Sequence, residues 1–185
     1  MALEIRIKRA EEYSARQLAV EMLADAVGSA PEDIFFYRGE NGKPLTNLSL
    51  HFNCSHSGCF VVCAVGEREV GVDLEQIRPV HPRLERALTA AERQWLTSLP
   101  QAERDEGFFR LWTLKESFGK LRGDGLNCGF PQFQVEPVEG DACCSVIRHV
   151  QTGQPCASGF TQPVGEDYCL SICVPPERTL RSAVI

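Results

Sequence analysis

The chain has 185 residues, 43% of them hydrophobic, and a formal net charge of −6, a balance that suits one globular domain or two small lobes sharing a core. The acidic excess speaks against general affinity for nucleic acid, which needs a basic face to displace counterions. No apolar run approaches the ~18 residues that span a bilayer, and the start, Met1 to Arg9, lacks an apolar signal core, so the expectation is a cytoplasmic protein without a membrane partner.

The first expected element is a helix from near Ser14 to Val27. Leu18, Met22, Leu23, Ala26 and Val27 fall on one face, and Gly28 supplies a stop. Turn residues follow, through Pro31 and Asn41-Gly42-Lys43-Pro44. Extended runs are expected at Leu48 to Phe52, Cys59 to Val65 and Val70 to Leu74. Thr89 and Glu92 have the spacing of a capping box that opens a helix ending before Pro100. A longer helix should run from Glu106 to Leu121, with Phe108, Leu111, Leu114, Phe118 and Leu121 as its apolar stripe and Gly123 as its stop. Strands are expected at Phe133 to Val135, Ser145 to Val150 and Tyr168 to Val174. The order implies an α+β fold, read as two related lobes, 1–72 and 73–185, with a ligand cleft between them.

The nine cysteines are odd in number, irregularly spaced, and include no Cys-x-x-Cys pair. A zinc ribbon is therefore not expected, and reduced, mostly buried thiols are.

Three groups of polar residues carry candidate chemistry. Asp73 and Glu75, two apart in a strand, share one face while Val72 and Leu74 take the other. Paired hard oxygens suit Mg2+, which keeps room for water and substrate phosphate; an ordinary solvated strand face has the same pattern. Glu116 and Lys120, four apart on the long helix, share a face in the favourable Glu-to-Lys order. They read equally as a surface ion pair or as a ligand, or base, beside a phosphate-binding cation. Asn53-Cys54-Ser55-His56-Ser57-Gly58 reads as a polar turn that could offer N–H groups, hydroxyls and an imidazole to a phosphate, or simply bond its own backbone.

Together these segments resemble the Sfp-type 4′-phosphopantetheinyl transferases, in the holo-acyl-carrier-protein synthase superfamily. The match is carried by Gly71-Val72-Asp73-Leu74-Glu75, by Trp112-Thr113-Leu114-Lys115-Glu116-Ser117-Phe118-Gly119-Lys120, by Gly42-Lys43-Pro44 and by Asn53 to Gly58, in the family's order over roughly residues 13 to 135. The resemblance implies transfer of 4′-phosphopantetheine from coenzyme A to a serine of an acyl or peptidyl carrier protein, with release of adenosine 3′,5′-bisphosphate. It places Mg2+, or Mn2+, on Asp73, Glu75 and Glu116, and gives Glu116 a second role in deprotonating the serine, directly or through water. Lys120, assisted by Lys115, would neutralise phosphate charge. Ser55 and His56 would meet coenzyme A phosphates, Lys43 its adenine or 3′-phosphate end, and Arg16 matches a basic position on the family's early helix. The chain departs from the family in two places. The segment before the first helix is short, with Lys8 and Arg9 as substitute basic residues, and Cys59-Phe60 stands where Trp is frequent. A monomer is the expected state. The alternatives are a coenzyme A- or carrier-binding protein without catalysis, and a Mg2+-dependent phosphohydrolase.

Overall fold

Isoleucines alternate with charged residues in Glu4–Arg9, and this segment, which the sequence reading leaves out, is the first strand, β1. The computed structural model describes residues 2–39, 42–124 and 129–176; Asn41 of the expected turn and Cys128 lie outside them. Helix α1 is Ala15–Val27, opened by a capping box between Ser14 and Gln17 and closed by Gly28 at φ +66°. A short hairpin pairs β2 (Phe36–Arg38) with β3 (Pro44–Thr46). Strands β4 (His51–Ser57) and β5 (Phe60–Gly66) form a tight antiparallel pair, and β1 joins the other edge of β5, giving the order β1-β5-β4.

The chain then enters a second antiparallel sheet, ordered β6-β10-β9-β8-β7. Its strands are β6 (Gly71–Gln76), β7 (Phe133–Val138), β8 (Asp141–His149), β9 (Pro155–Val164) and β10 (Tyr168–Val174). Strand β9 is not among the expected strands: it starts at a proline and contains Gly159 and Pro163, residues that read as loop. Between β6 and β7 come α2 (Ala90–Ser98) and α3 (Arg104–Arg122). The expected capping box of α2 is present, and Gly123 closes α3 at φ +80°.

Three apolar clusters define a layered arrangement of helix, sheet, sheet, helix. One packs Leu18, Met22 and Leu23 of α1 against Phe52, Val61, Cys63 and Val65. A second joins the sheets, with Val62 and Ala64 of β5 against Val72, Leu74, Leu170 and Ile172. The third lies under α3, where Phe108, Leu114 and Phe118 meet Ile147, Ala157, Cys169 and Cys173. The described cysteines are free; Cys63, Cys144, Cys169 and Cys173 are buried, whereas Cys59 sits exposed in the β4–β5 turn rather than in a strand. No helix among the described residues is long and apolar enough to cross a membrane.

Candidate active site

Strand alternation turns Val72 and Leu74 into the core between the sheets and leaves Asp73 and Glu75 on the other side of β6. Helix α3 crosses that side at close range. The approach depends on Gly71, where a Cβ would overlap the Ser117 carbonyl oxygen and lie 2.6 Å from the Leu121 amide nitrogen. This glycine has no positive φ; it is needed for space. The contact brings the turn of α3 that carries Glu116 and Lys120 over Asp73.

The second wall of the site comes from β4. Asn53 to Ser57 are strand residues, not the turn expected from their composition, and pair with Phe60 to Ala64 of β5. Small polar residues have low strand propensity, but here packing decides. Phe52 and Cys54 face α1, while Asn53, Ser55 and Ser57 face β6. β4 and β6 are edge strands of their sheets, and side chains zip the two edges together. The Val72 amide donates to Asn53 Oδ1 at 2.9 Å and the Ser55 hydroxyl to Asp73 Oδ1 at 2.8 Å. Ser57 donates to Glu75 Oε2 at 3.0 Å and accepts from the Gln76 amide.

Lys120 reaches across this seam. Its ammonium donates to Asp73 Oδ1 and Ser55 Oγ, each at 2.8 Å, and to the Val72 carbonyl at 3.0 Å. The expected partnership with Glu116 is replaced by an ion pair with Asp73. Asp73 is buried, and burial raises its proton affinity although Lys120 and Ser55 oppose the shift. Its other oxygen, Oδ2, is buried without a hydrogen-bond partner. Among the described residues no hydrogen bond or ion pair holds the Glu116 carboxylate. Its pKa is pushed up to about 7, first by burial and then by the charge of Asp73, with Lys120 offsetting part of the rise and Glu75 adding to it. Glu75 accepts from Arg78 at 3.1 Å, and Arg78 in turn stacks over Phe109. Arg78 thereby joins the wall of the site.

Other expected site residues lie elsewhere. Lys115 is fully buried on another face of α3. It pairs with Glu92 at 2.9 Å and donates to the carbonyls of Phe130 at 3.1 Å and Phe133 at 2.6 Å. It does not reach a phosphate beside Asp73, because burial demands that its charge be satisfied in place. Glu92, read from sequence only as a cap residue, also accepts from the Thr89 and Val135 amides. His56 is exposed and, by alternation, lies on the α1 side of β4, away from Asp73. Arg16 is exposed in the first turn of α1, 4.9 Å over the Phe36 ring. Lys43 donates to the Leu121 carbonyl at 2.9 Å, at the C-terminal end of α3, and burial lowers its proton affinity. It also lines a cavity of about 390 Å3 with Tyr37, Pro44, Leu48 and His51. An apolar cavity of similar size lies on the Leu111–Leu114 side of α3 and holds none of these carboxylates except Glu92 at its wall.

Among the described residues no three His, Cys, Asp or Glu side chains stand in chelating geometry by themselves. The donor chemistry nevertheless fits a hard cation that completes its shell with water and phosphate. Asp73 Oδ2 is an orphaned buried acceptor, and burial first, then the charge of Asp73, pushes the pKa of Glu116 up to about 7.

Residues 69–173, which include the two carboxylate segments and α3, match the family model described as the 4′-phosphopantetheinyl transferase superfamily. The 4′-phosphopantetheinyl transferase psf-1 of Bacillus pumilus is 44% identical over 146 residues, covering 77% of this chain and 61% of that protein. A 4′-phosphopantetheinyl transferase of Bacillus subtilis is 33% identical over 171 residues, covering 88% of this chain and 75% of that one. The chain thus spans only part of the length of these relatives. A crystal structure of a Bacillus anthracis holo-(acyl-carrier-protein) synthase in complex with CoA superposes with a TM-score of 0.47 at 17% identity, over 58% of this chain and 94% of that one. The family match runs through Gly71, Asp73, Glu75, Glu116 and Lys120, the residues that build the seam between β6 and α3, and the chain belongs to the 4′-phosphopantetheinyl transferase superfamily.

Proposed function

We propose that the protein transfers the 4′-phosphopantetheine arm of coenzyme A to a serine hydroxyl of an acyl or peptidyl carrier protein. The observation that carries this reading is the arrangement around Glu116: among the described residues no hydrogen bond or ion pair holds its carboxylate, which lies within reach of the charges of Asp73, Lys120 and Glu75 beside the Asp73–Lys120 pair. The two helix-on-sheet layers are read as two related lobes, divided close to the partition 1–72 and 73–185, with coenzyme A between them. Lys43 and its neighbouring cavity suit the nucleotide end, Ser55 on the seam suits a phosphate, and the family resemblance alone supports phosphate contacts for His56 and Arg16, which lie away from Asp73. The enzyme is read as a cytoplasmic monomer.

The step forms a bond between the serine oxygen and the β-phosphorus of coenzyme A. The bridging P–O bond to the α-phosphate breaks, and adenosine 3′,5′-bisphosphate leaves with that electron pair. The serine proton passes to Glu116, directly or through water; its carboxylate is the acceptor beside the Asp73–Lys120 pair. Lys120 can turn part of its charge to the leaving phosphate oxygen, where developing charge is greatest. Mg2+, or Mn2+, held by Asp73 Oδ2, Glu75 and Glu116, would supply charge neutralisation at the pyrophosphate. The chain's own residues position the reactants, and that positioning is where most catalysis of phosphoryl transfer lies.

Intact mass spectrometry of apo-carriers after incubation with coenzyme A, Mg2+ and this protein tests the reading. A gain of one phosphopantetheine mass supports it. Binding of coenzyme A without mass gain would turn the protein into a binder, and release of phosphate from nucleotides would turn it into a phosphohydrolase.

A further inference from the structure

In the turn of α3 between Thr113 and Lys120, each polar side chain except Glu116 is tied to a different neighbour. Thr113 shares a 2.6 Å hydrogen bond with Ser171 of β10. Ser117 donates to the Leu114 carbonyl and to Cys173 Sγ at 3.0 Å. Lys120 holds the seam of β4 and β6. Lys115 binds on the remaining side, to Glu92 at the start of α2 and to carbonyls just before β7 and at its first residue. Ties on several faces fix both the rotation and the axial position of a helix. A 100° step separates successive helical residues. An anchor at Lys115 therefore sets the direction in which Glu116 leaves the helix.

We infer that Lys115, through its buried pair with Glu92, is a positioning residue that aims Glu116 at the Asp73–Lys120 seam. The inference rests on the proposed role of Glu116 as base and deepens it. Packing alone does not call for this pair. An apolar side chain could fill the same volume next to Phe130 and Phe133 without desolvating two charges. What the pair adds is direction: the ammonium has three donors and meets a carboxylate and two carbonyls, each at a defined place.

The test compares Glu92→Gln, Lys115→Met and the double variant with wild type. Glu92→Gln keeps the shape and an acceptor for the Val135 amide. The double variant leaves no unpaired buried charge, so it folds even where Lys115→Met does not. Turnover is measured per folded molecule, with KM for coenzyme A and for the carrier, and the crystal structure of the double variant is determined. The expected result is a fall in kcat of about tenfold or more, with both KM values within about twofold of wild type, and a Glu116 carboxylate shifted relative to Asp73. A purely structural role would lower the melting temperature and leave kcat of the folded double variant unchanged, with Glu116 in place; that outcome overturns the inference. The wild-type control separates the two levels. If wild type transfers nothing to any carrier while the variant's Glu116 has moved, the proposed function falls and the positioning stands.

Discussion

Gly71→Ala is a sharp perturbation of the site because it adds one methyl group where two backbones touch. The new Cβ would overlap the Ser117 carbonyl oxygen and lie 2.6 Å from the Leu121 nitrogen, against 3.4 Å for ordinary contact. Neither atom can rotate away, since both belong to the backbone of α3. The helix must retreat by about 0.8 Å, the difference between 3.4 Å and 2.6 Å, merely to relieve the milder contact. Overpacking of this kind costs about 1–3 kcal/mol, a fall in Tm of roughly 3–10 °C for a chain of this size. The shift carries Glu116 and Lys120 with it, and a misplacement near 1 Å lowers a rate by about a hundredfold. Thermal melts and steady-state transfer to a carrier should therefore show a folded but strongly impaired enzyme. Gly159→Ala is the control: its Cβ would approach Leu114 Cδ2 at 2.6 Å, the end of a flexible side chain that can repack. A Gly71→Ala protein with wild-type melting and turnover would refute the close-approach argument. One that loses stability but keeps turnover would reduce the contact to packing.

The other expected outcomes concern charge. Glu116→Gln should lose roughly a hundredfold or more in turnover, yet melt at a higher temperature than wild type above pH 7, since it removes a carboxylate whose ionisation the fold resists. The sign follows from linkage: the folded pKa of about 7 lies above the ordinary 4.5, so the folded state holds the extra proton between those values. The contribution of Glu116 is fully present below about pH 4.5 and is lost as pH rises through 7, and this slope should vanish in melts of the Gln variant. Lys120→Ala should lose turnover and also stability, because Asp73 would keep a buried charge without its partner. Calorimetry should find Mg2+ weakly bound alone and more tightly with coenzyme A; equal affinity would remove the idea that the cation shares its shell with the cofactor. Arg83 and Arg86 are exposed, and their reversal to Glu should raise KM for an acidic carrier and leave coenzyme A binding unchanged, whereas unchanged carrier kinetics would exclude that patch.

The helices were the legible part of the fold. Thr89 with Glu92, and Gly28 and Gly123, are local signals, and each marks a real helix end. Strands that depend on distant partners were harder to read. β1 has only Ile5 and Ile7 to mark it, and β9 starts at a proline and contains Gly159 and Pro163, which read as loop. The same distinction applies to the site. Asp73 and Glu75 follow from strand alternation, and Glu116 and Lys120 from helical spacing. Which charge meets which depends on the seam between β4 and β6, and no spacing in the chain reveals that Lys120 prefers Asp73 to its helical neighbour. Lys115 sits one residue from Glu116 yet belongs to a different environment, because adjacent helical positions face apart.

Polar satisfaction separates scaffold from site within a single helix. Under α3, Thr113, Ser171 and Thr161 form a closed chain of hydroxyls, and Lys115 with Glu92 fills its valences inside the protein. Such groups hold the fold and ask for nothing from outside. Beside α3, among the described residues, the exceptions are Asp73 Oδ2, buried without a partner, and Glu116, whose ionisation burial and then the charge of Asp73 oppose. Both defects lie at one place, where α3 touches β6, and both would be relieved by positive charge. A fold that closes its hydrogen bonds so fully nearby has no structural reason to leave negative charge in excess here. The proposed phosphoryl transfer supplies one, because it needs carboxylates to hold a cation and to accept the serine proton.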